Sequence, residues 1–290
     1  MKRVMITGGK GMLATDLALR LNGTNQFEIH ALSREQLDVT HSQDVFEAIS
    51  NLRPDIVIHT AAMHVDPCEN DVSEAFRINS WATRGIARAC SANQAVMVYI
   101  STCGLFGDRV KTYTEYDPVV LKTEYARSKY AGEEMVRQFC DAHFIIRPGW
   151  LFGGSIDHAK NFVVKRYEEA AKAKFVNSVY DKFGSPTYTG DLADGIVKLL
   201  STDEYGVYHM TNQGGVSRAD YVRRVIKCFG LNTEVIDVDS SHFPRKADVP
   251  DCEILEGLNL KYLGIDPLPS WQEAIERYIT SIYAEVKAGK

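Results

Sequence analysis

The chain has 290 residues, of which 45% are hydrophobic and 24% charged, and it carries a formal net charge of −5. These values are typical of a globular protein large enough for one core or two closely joined lobes. A net negative charge argues against a general nucleic-acid binder, which usually carries a basic surface. The six cysteines lack C-x-x-C spacing and the eight histidines lack H-x-x-x-H spacing. We therefore expect reduced thiols and no metal site.

No targeting or membrane segment is expected. The first apolar run lies at residues 3–6, too close to Met1 for a signal peptide. No apolar run approaches the roughly 20 residues that span a bilayer. These features predict a cytoplasmic protein with no membrane or nucleic-acid partner, and they leave open whether it is a monomer or a homodimer.

The N-terminus has the pattern of a strand, a glycine turn and a helix. The apolar residues 3–6 precede Gly8 and Gly11, and an amphipathic helix follows from Met12 and Leu13. Gly8 allows a tight turn, Gly11 allows a pyrophosphate to approach the backbone, and the helix N-terminus supplies N–H groups to that anion. The pattern predicts a dinucleotide-binding unit, and the alternative is an ordinary glycine turn between two elements.

Strands and helices are predicted to alternate through the first half of the chain. This alternation favours a parallel sheet covered by helices on both faces and wound right-handedly. The predicted strands span residues 27–32, 55–60, 95–101 and 143–147, and the predicted helices span residues 42–52, 73–92 and 124–140.

The alternation loosens after Trp150. We expect a nucleotide-binding domain over residues 1–150 and mainly a substrate-binding lobe over 151–290, with elements from about 175–202 returning to the first domain. The predicted helices of this half span residues 161–171, 190–200, 217–228 and 271–286, and the predicted strands span 207–211 and 233–238.

Tyr125 and Lys129 are spaced four residues apart in a predicted helix, so their side chains lie on one face. A phenol beside an ammonium group loses its proton more easily, which suits proton exchange with a carbonyl or alcohol oxygen. Tyr-x-x-x-Lys alone is a weak motif, because helices contain many such pairs. Glu133 and Glu134 of the same helix are expected on its solvated face.

Together these residues resemble the extended short-chain dehydrogenases/reductases, and within them the dTDP-4-dehydrorhamnose reductase family, along nearly the whole chain. The first-half motifs belong to the whole superfamily, whereas Trp150 and the later segments point to nucleotide-sugar 4-keto reductases. The matching segments are residues 37–40, 54–58, 61–66, 78–79, 101–102, 161–163, 184–188 and 208–212, with Tyr125, Lys129, Arg147 and Trp150.

The resemblance implies an α/β protein with a Rossmann-type doubly wound parallel sheet and a smaller α/β substrate-binding lobe. It implies an NADPH-dependent oxidoreductase that reduces the 4-keto group of a nucleotide-linked 4-keto-6-deoxy sugar, for cell-surface polysaccharide or deoxysugar biosynthesis. Thr102 would hydrogen-bond the keto oxygen, Tyr125 would act as general acid, and Lys129 would bind the nicotinamide ribose and lower the pKa of Tyr125. A simpler role for Thr102 is to cap the strand end.

The second strand ends in Ser33 and Arg34 rather than in the acid that usually accepts a ribose 2′-OH. A hydroxyl and a guanidinium suit a 2′-phosphate, which predicts NADPH with NADH tolerated. The alternative is that Arg34 is only a solvated loop charge. The other expected cofactor-binding residues are Asp38, Val39, Ala61, Ala62, Met63 and Asn79.

The predicted substrate pocket departs from the family pattern. Cys103-Gly104 follows Thr102 where the family commonly has Asp-Tyr, and two acids follow the basic residues Arg245 and Lys246. Trp150 would wall the pocket by stacking, or would be a plain core aromatic. The expected substrate-binding residues are His64, Ser101, Cys103, Trp150, Asn161 and Arg245.

Two other functions remain open from the sequence. One is the same reduction on a different nucleotide-linked keto sugar. The other is a non-catalytic NADP-binding regulatory subunit, since the beta subunit of methionine adenosyltransferase is similar in fold to these reductases. Retention of Thr102, Tyr125 and Lys129 together favours an enzyme, because a binding module needs no proton donor.

Overall fold

A computed structural model describes residues 1–288. Its helices are α1 (Met12–Asn22), α2 (Ser42–Leu52), α3 (Val65–Asn70), α4 (Val72–Phe76), α5 (Ala82–Ala92), α6 (Glu124–Phe139), α7 (Phe162–Ala170), α8 (Thr189–Leu199), α9 (Arg218–Cys228), α10 (Leu258–Tyr262) and α11 (Trp271–Lys287). Its strands are β1 (Lys2–Thr7), β2 (Phe27–Leu32), β3 (Ile56–His59), β4 (Val96–Ile100), β5 (His143–Arg147), β6 (Trp150–Phe152), β7 (Phe175–Val179), β8 (Phe183–Gly184), β9 (Pro186–Tyr188), β10 (Gly206–His209), β11 (Asn212–Gln213), β12 (Val216–Ser217), β13 (Glu234–Val238), β14 (Cys252–Glu253) and β15 (Leu268–Ser270).

The central sheet has six parallel strands in the order β2-β1-β3-β4-β5-β10. The direction of winding reverses at β1, which pairs with β2 on one side and with β3 on the other. In such sheets a ligand binds outside the carboxyl ends of the strands at the reversal. The predicted doubly wound Rossmann-type sheet is confirmed.

Alternate residues of β1 point into two separate cores, one on each face of the sheet. Val4 and Ile6 belong to the core under α1 and α8. Met5 belongs to the core under α2, α5 and α6. Because both faces are covered, the inner strands are apolar throughout rather than alternating with polar residues.

The chain after Trp150 both builds a smaller lobe and returns to the sheet. Helix α8 packs on α1, and β10 joins the edge strand β5. Strand β7 pairs instead with β13, and β8 pairs with β12 and β14. Helices α7, α9 and α11 enclose an aromatic core in this lobe. The proposed boundary near residue 150 stays a prediction.

The predicted helix over residues 73–92 is in fact α4, a π-helical turn (Arg77–Trp81) and α5 in succession. The short helix α3 was not predicted. Within residues 1–288, none of the helices is long and apolar enough to cross a bilayer.

Candidate active site

The turn after β1 requires glycine at two positions. Gly8 has φ +69°, and a Cβ there would lie 3.0 Å from the Ala61 nitrogen. A Cβ on Gly9 would lie 2.7 Å from the Ala31 carbonyl carbon. Gly11 then caps α1 without a side-chain hydrogen bond, so the first N–H groups of the helix, at Met12 and Leu13, have no intrahelical partner. The backbone is thus open to an anion at this turn.

A groove of about 100 Å³ follows this turn along the carboxyl ends of β1, β2 and β3, at the reversal of the sheet. It brings together six of the fourteen residues predicted from sequence to contact a dinucleotide. The groove is lined by Gly8, Arg34, Asp38, Val39, Ala61 and Ala62, together with Leu37, Thr40 and Ile78.

The end of β2 presents Arg34 to solvent. Its Nε lies 3.5 Å from an Asp38 carboxylate oxygen, a loose contact that leaves the guanidinium donors available. The next residue is an acid, Glu35, which Lys10 contacts at 3.1 Å. Hydrogen bonds from Ser33, from the backbone and from Lys10 lower the pKa of Glu35 to about 2. The strand end therefore carries both an arginine and an ionised carboxylate, and the prediction of NADPH rested on the arginine alone.

Asn79, in the π-helical turn, holds the loop after β3 in place. Its side-chain oxygen accepts from the Met63 N–H at 2.8 Å, and its amide donates to the Met63 carbonyl at 3.1 Å. The amide also donates to the Ser128 hydroxyl of α6 at 3.0 Å. Asn79 thus ties the loop after β3 to the helix that carries Tyr125 and Lys129.

Tyr125 and Lys129 lie on the inner face of α6. Lys129 is buried, donates to the Ile100 carbonyl at 2.7 Å, and places its ammonium 4.0 Å from the Tyr99 ring centroid. Burial lowers the pKa of Lys129 to about 7. Burial also raises the pKa of Tyr125 above its ordinary value, and the neighbouring Thr102 side chain partly opposes the rise. The phenol is therefore protonated at neutral pH.

Thr102 follows β4 and its hydroxyl accepts from the Gly104 N–H at 3.0 Å. The hydroxyl thus makes a local backbone contact as well as facing Tyr125. Ser101 points the other way and donates to Glu133 at 2.6 Å. The position of Thr102 beside Tyr125 suits a donor to the same carbonyl oxygen.

Glu133 is fully buried, so its predicted position on a solvated helix face is wrong. Arg147 of β5 contacts it through Nε at 2.8 Å and Nη2 at 2.6 Å. This paired geometry stabilises the carboxylate and holds the pKa of Glu133 below its usual value despite burial. Glu133 lies four residues after Lys129 and eight after Tyr125, a spacing that places all three on one face.

Thr102 and Tyr125 line a cavity of about 660 Å³ between the sheet and the smaller lobe. Of the residues predicted to bind substrate, Cys103, Trp150 and Arg245 also line it. A volume of this size lies within the range typical of ligand sites. Other residues along its wall include Val65, Val179, Lys182, Arg218, Ser240, Phe243, Asp248 and Glu253.

The other predicted substrate residues have different surroundings. Asn161 is buried as the N-cap of α7, where its side chain accepts from the Val164 N–H. His64 stands beside Val65 of the cavity wall, and desolvation of its ring and then the charge of Lys160 lower the pKa of His64 to about 4. Contacts of Asn161, His64 and Ser101 with a substrate stay predictions.

Two charged residues of the cavity, Arg218 and Glu253, were not predicted from the sequence. Glu253 accepts from Trp150 Nε1 at 2.6 Å and lies 3.5 Å from the Cys103 sulfur. The Arg218 guanidinium lies 3.4 Å from the centroid of the Trp150 ring. One face of the indole is therefore covered by a cation. These contacts join residues far apart in sequence, and no local motif marks them.

The winding of the parallel sheet reverses at β1, next to the glycine turn, and Thr102, Tyr125 and Lys129 lie at the carboxyl edge of the sheet. This arrangement defines an extended short-chain dehydrogenase/reductase. The chain belongs to the RmlD substrate binding domain family, whose model matches residues 1–284. The predicted membership is confirmed.

Sequence and structure alignments with named relatives extend over almost the whole chain. A dTDP-4-dehydrorhamnose reductase of Streptomyces griseus is 33% identical over 94% of this chain and 91% of its own. The spore coat polysaccharide biosynthesis protein SpsK of Bacillus subtilis is 32% identical over 96% of this chain and 97% of its own. The solved dTDP-4-dehydrorhamnose reductase of Bacillus anthracis, in complex with NADP, has a TM-score of 0.92 and 33% identity, covering 97% of this chain and 99% of its own.

Proposed function

We propose that this protein uses NADPH to reduce the 4-keto group of a dTDP-linked 4-keto-6-deoxy sugar. The observation that carries the proposal is the position of Thr102 and Tyr125 on the wall of the large cavity, with Lys129 buried behind them. The names of the relatives from Streptomyces griseus and Bacillus anthracis support the substrate class.

The residues of the groove fit NADPH. The glycine turn packs so closely on the neighbouring backbone that a Cβ at Gly8 or Gly9 would collide with it. The unpaired N–H groups at the start of α1 suit the pyrophosphate. Arg34 at the end of β2 suits the 2′-phosphate. When bound, NADPH supplies the hydride that reduces the sugar carbonyl.

Tyr125 acts as the general acid in this proposal. Its raised pKa keeps the phenol protonated at neutral pH, which is the form that a reduction consumes. Thr102 orients the keto oxygen toward the phenol. After the proton has left Tyr125, the nearby Lys129 ammonium stabilises the phenolate. Glu133 and Arg147 fix the face of α6 from which both residues project.

The relative SpsK is named for spore coat polysaccharide biosynthesis, which supports a biosynthetic role in cell-surface polysaccharide or deoxysugar formation. All six cysteines are free thiols, which suits the reducing cytoplasm. We infer a cytoplasmic enzyme that acts on a small molecule as a monomer or homodimer.

Steady-state kinetics with dTDP-4-keto-6-deoxy-L-lyxo-hexulose test the proposal. We expect NADPH oxidation, followed at the nicotinamide absorbance band, with a higher kcat/KM for NADPH than for NADH. Arg34→Ala is expected to remove most of this cofactor preference, because it removes the guanidinium at the end of β2. A preference for NADH in the unaltered protein would contradict the cofactor assignment.

The Cys103-Gly104 edge of the cavity favours a second candidate, the same reduction on another dTDP-linked keto sugar. Cys103 brings a buried thiol to this edge, and Glu253 is the carboxylate beside it. A panel of dTDP-keto sugars that differ in configuration at carbons 3 and 5 separates the two candidates by kcat/KM. A higher value for an alternative sugar than for the L-lyxo-hexulose would favour the second.

A further inference from the structure

Arg218 differs from the other cations that line the large cavity, because it has no acidic partner among the residues that the structure describes. Lys182 contacts Asp251 at 2.6 Å, and Arg245 contacts Asp66 at 2.7 Å. Within residues 1–288, no carboxylate oxygen lies within 4.0 Å of the Arg218 guanidinium. The cavity therefore contains one arginine whose charge the protein does not neutralise at short range.

Aromatic stacking holds this arginine in place. Its guanidinium lies 3.4 Å from the Trp150 ring centroid and 5.0 Å from that of Phe162. Stacking covers the faces of a guanidinium and leaves its N–H groups, which point outward in the plane, free to donate. In residues 1–288, no hydrogen bond of the Arg218 side chain to protein is formed. A rigid fork of unused donors thus faces the cavity.

Glu253, an acid on the same cavity wall, does not serve as the partner of Arg218. Glu253 lies close enough to influence the charge of Arg218, but its Oε2 accepts from Trp150 Nε1 at 2.6 Å. Desolvation lowers the pKa of Arg218 to about 10, so the group stays charged at neutral pH while it lacks full hydration. Binding of an anion would compensate this lost hydration.

We propose that Arg218 binds the diphosphate of the nucleotide sugar in the large cavity. A diphosphate offers paired anionic oxygens, which match the two parallel N–H donors of a guanidinium. This assignment rests on the proposed function, because that function supplies the diphosphate ligand. Arg245, the basic residue singled out from the sequence, is instead held by Asp66.

Titration of dTDP into the NADPH-saturated protein tests this proposal, because bound NADPH keeps dTDP out of the dinucleotide groove. Arg218→Met is expected to weaken dTDP binding about 10- to 100-fold, the range for hydrogen bonds to a charged group. Arg218→Lys keeps the positive charge but lacks the paired N–H donors, and its dTDP affinity is expected to fall less. Arg223→Met is the matched control on α9, since Arg223 is paired with Asp220 and Asp237 outside the cavity.

The outcomes separate the site from the reaction. Weaker dTDP binding by Arg218→Met, with unchanged NADPH affinity and unchanged binding by Arg223→Met, supports the assignment. Equal dTDP binding by the unaltered protein and both Arg218 variants overturns it, even if the reductase is active. Failure of the unaltered protein to bind dTDP overturns it as well. Tight, Arg218-dependent dTDP binding without turnover of any keto sugar would instead contradict the proposed reaction.

Discussion

Burial changes the proton affinities of Tyr125 and Lys129 in opposite directions. It raises the pKa of the phenol and lowers the pKa of the ammonium group to about 7. Both shifts favour neutral forms, because a buried site stabilises a charge poorly. The pair is thus arranged with the proton on Tyr125 before reduction, as the proposed general acid requires.

Tyr125→Phe removes the donated proton and leaves the ring that fills the cavity wall. We expect kcat to fall about 10²- to 10⁴-fold, the usual range for loss of a general acid, with NADPH affinity almost unchanged. Turnover and NADPH titration on the same preparation measure both effects. Unchanged turnover would show that Tyr125 is not the general acid, whereas NADPH binding without turnover by the unaltered protein would favour a non-catalytic NADP-binding role.

The lowered pKa of Lys129 predicts that NADPH binding is coupled to proton uptake. With a pKa near 7, Lys129 is mostly neutral at a pH of about 8 in the free protein, and it binds the anionic cofactor better when charged. NADPH binding at that pH is therefore expected to take up a proton, and uptake is expected to vanish at a pH of about 5, where Lys129 is already charged.

Calorimetry in two buffers of different ionisation enthalpy measures this uptake. Lys129→Met, which cannot titrate, is the control and is expected to show none. Equal proton uptake by the variant and the unaltered protein would assign the effect to another group.

At the scale of single elements, α6 carries Tyr125, Lys129 and Glu133 on one face. Its N-cap is Thr123, two residues before Tyr125, and the Thr123 side chain accepts from the Ala126 N–H. This hydrogen bond fixes the first turn of the helix, which contains Tyr125. The Glu133–Arg147 pair then ties the helix to β5. Both partners are buried, so removal of Glu133 leaves the charge of Arg147 uncompensated.

Glu133→Gln is expected to lower the free energy of unfolding by about 3–5 kcal/mol, the range for breaking a buried ion pair from one side. Glu134→Gln is the matched control, because the neighbouring Glu134 is exposed and pairs with Arg137 at the surface. Its effect is expected within about 0.5 kcal/mol. Denaturant unfolding of both variants checks the difference, and equal stability would contradict the structural role of the pair.

Elements of the first half were predictable because each has a strong local pattern. Strands β2 and β5 and helix α2 begin and end as predicted. Helix α3 has only six residues, too few for its periodicity to stand out. The two-residue strands of the smaller lobe likewise depend on their pairing partners rather than on local sequence.

At the scale of the whole molecule, the nucleotide-binding half is incomplete at residue 150. Leu192 and Ile196 of α8 share a core with Leu13 and Leu17 of α1, and β10 covers the edge of β5. A fragment of residues 1–150 lacks both and exposes apolar surface on one face of the sheet.

We therefore expect residues 1–150 alone to lack a cooperative thermal transition and to bind NADPH much more weakly than the full chain. Circular dichroism melts and NADPH titration of the fragment beside the full chain test this. Cooperative unfolding together with full-chain affinity would show that the first 150 residues form an independent domain.

Tertiary contacts explain which site residues could not be predicted from the sequence. Thr102 and Tyr125 stand in short local patterns, whereas Glu253 reaches Cys103 across 150 positions in the chain. Arg218 meets Trp150 only because α9 packs beside β6 in the folded lobe. Local patterns predicted candidate site residues at the sheet edge, and only the tertiary structure showed the charges of the facing wall.

Isotope transfer tests the central claim most directly. NADPH deuterated at its transferable position is incubated with dTDP-4-keto-6-deoxy-L-lyxo-hexulose and the protein, and the sugar product is analysed by NMR and mass spectrometry. We predict one deuterium at carbon 4 of a reduced dTDP-6-deoxyhexose, formed at a rate that Tyr125→Phe lowers about 10²- to 10⁴-fold. Recovery of undeuterated starting sugar from protein that binds both NADPH and dTDP would contradict the assignment of this protein as a 4-keto reductase of that sugar.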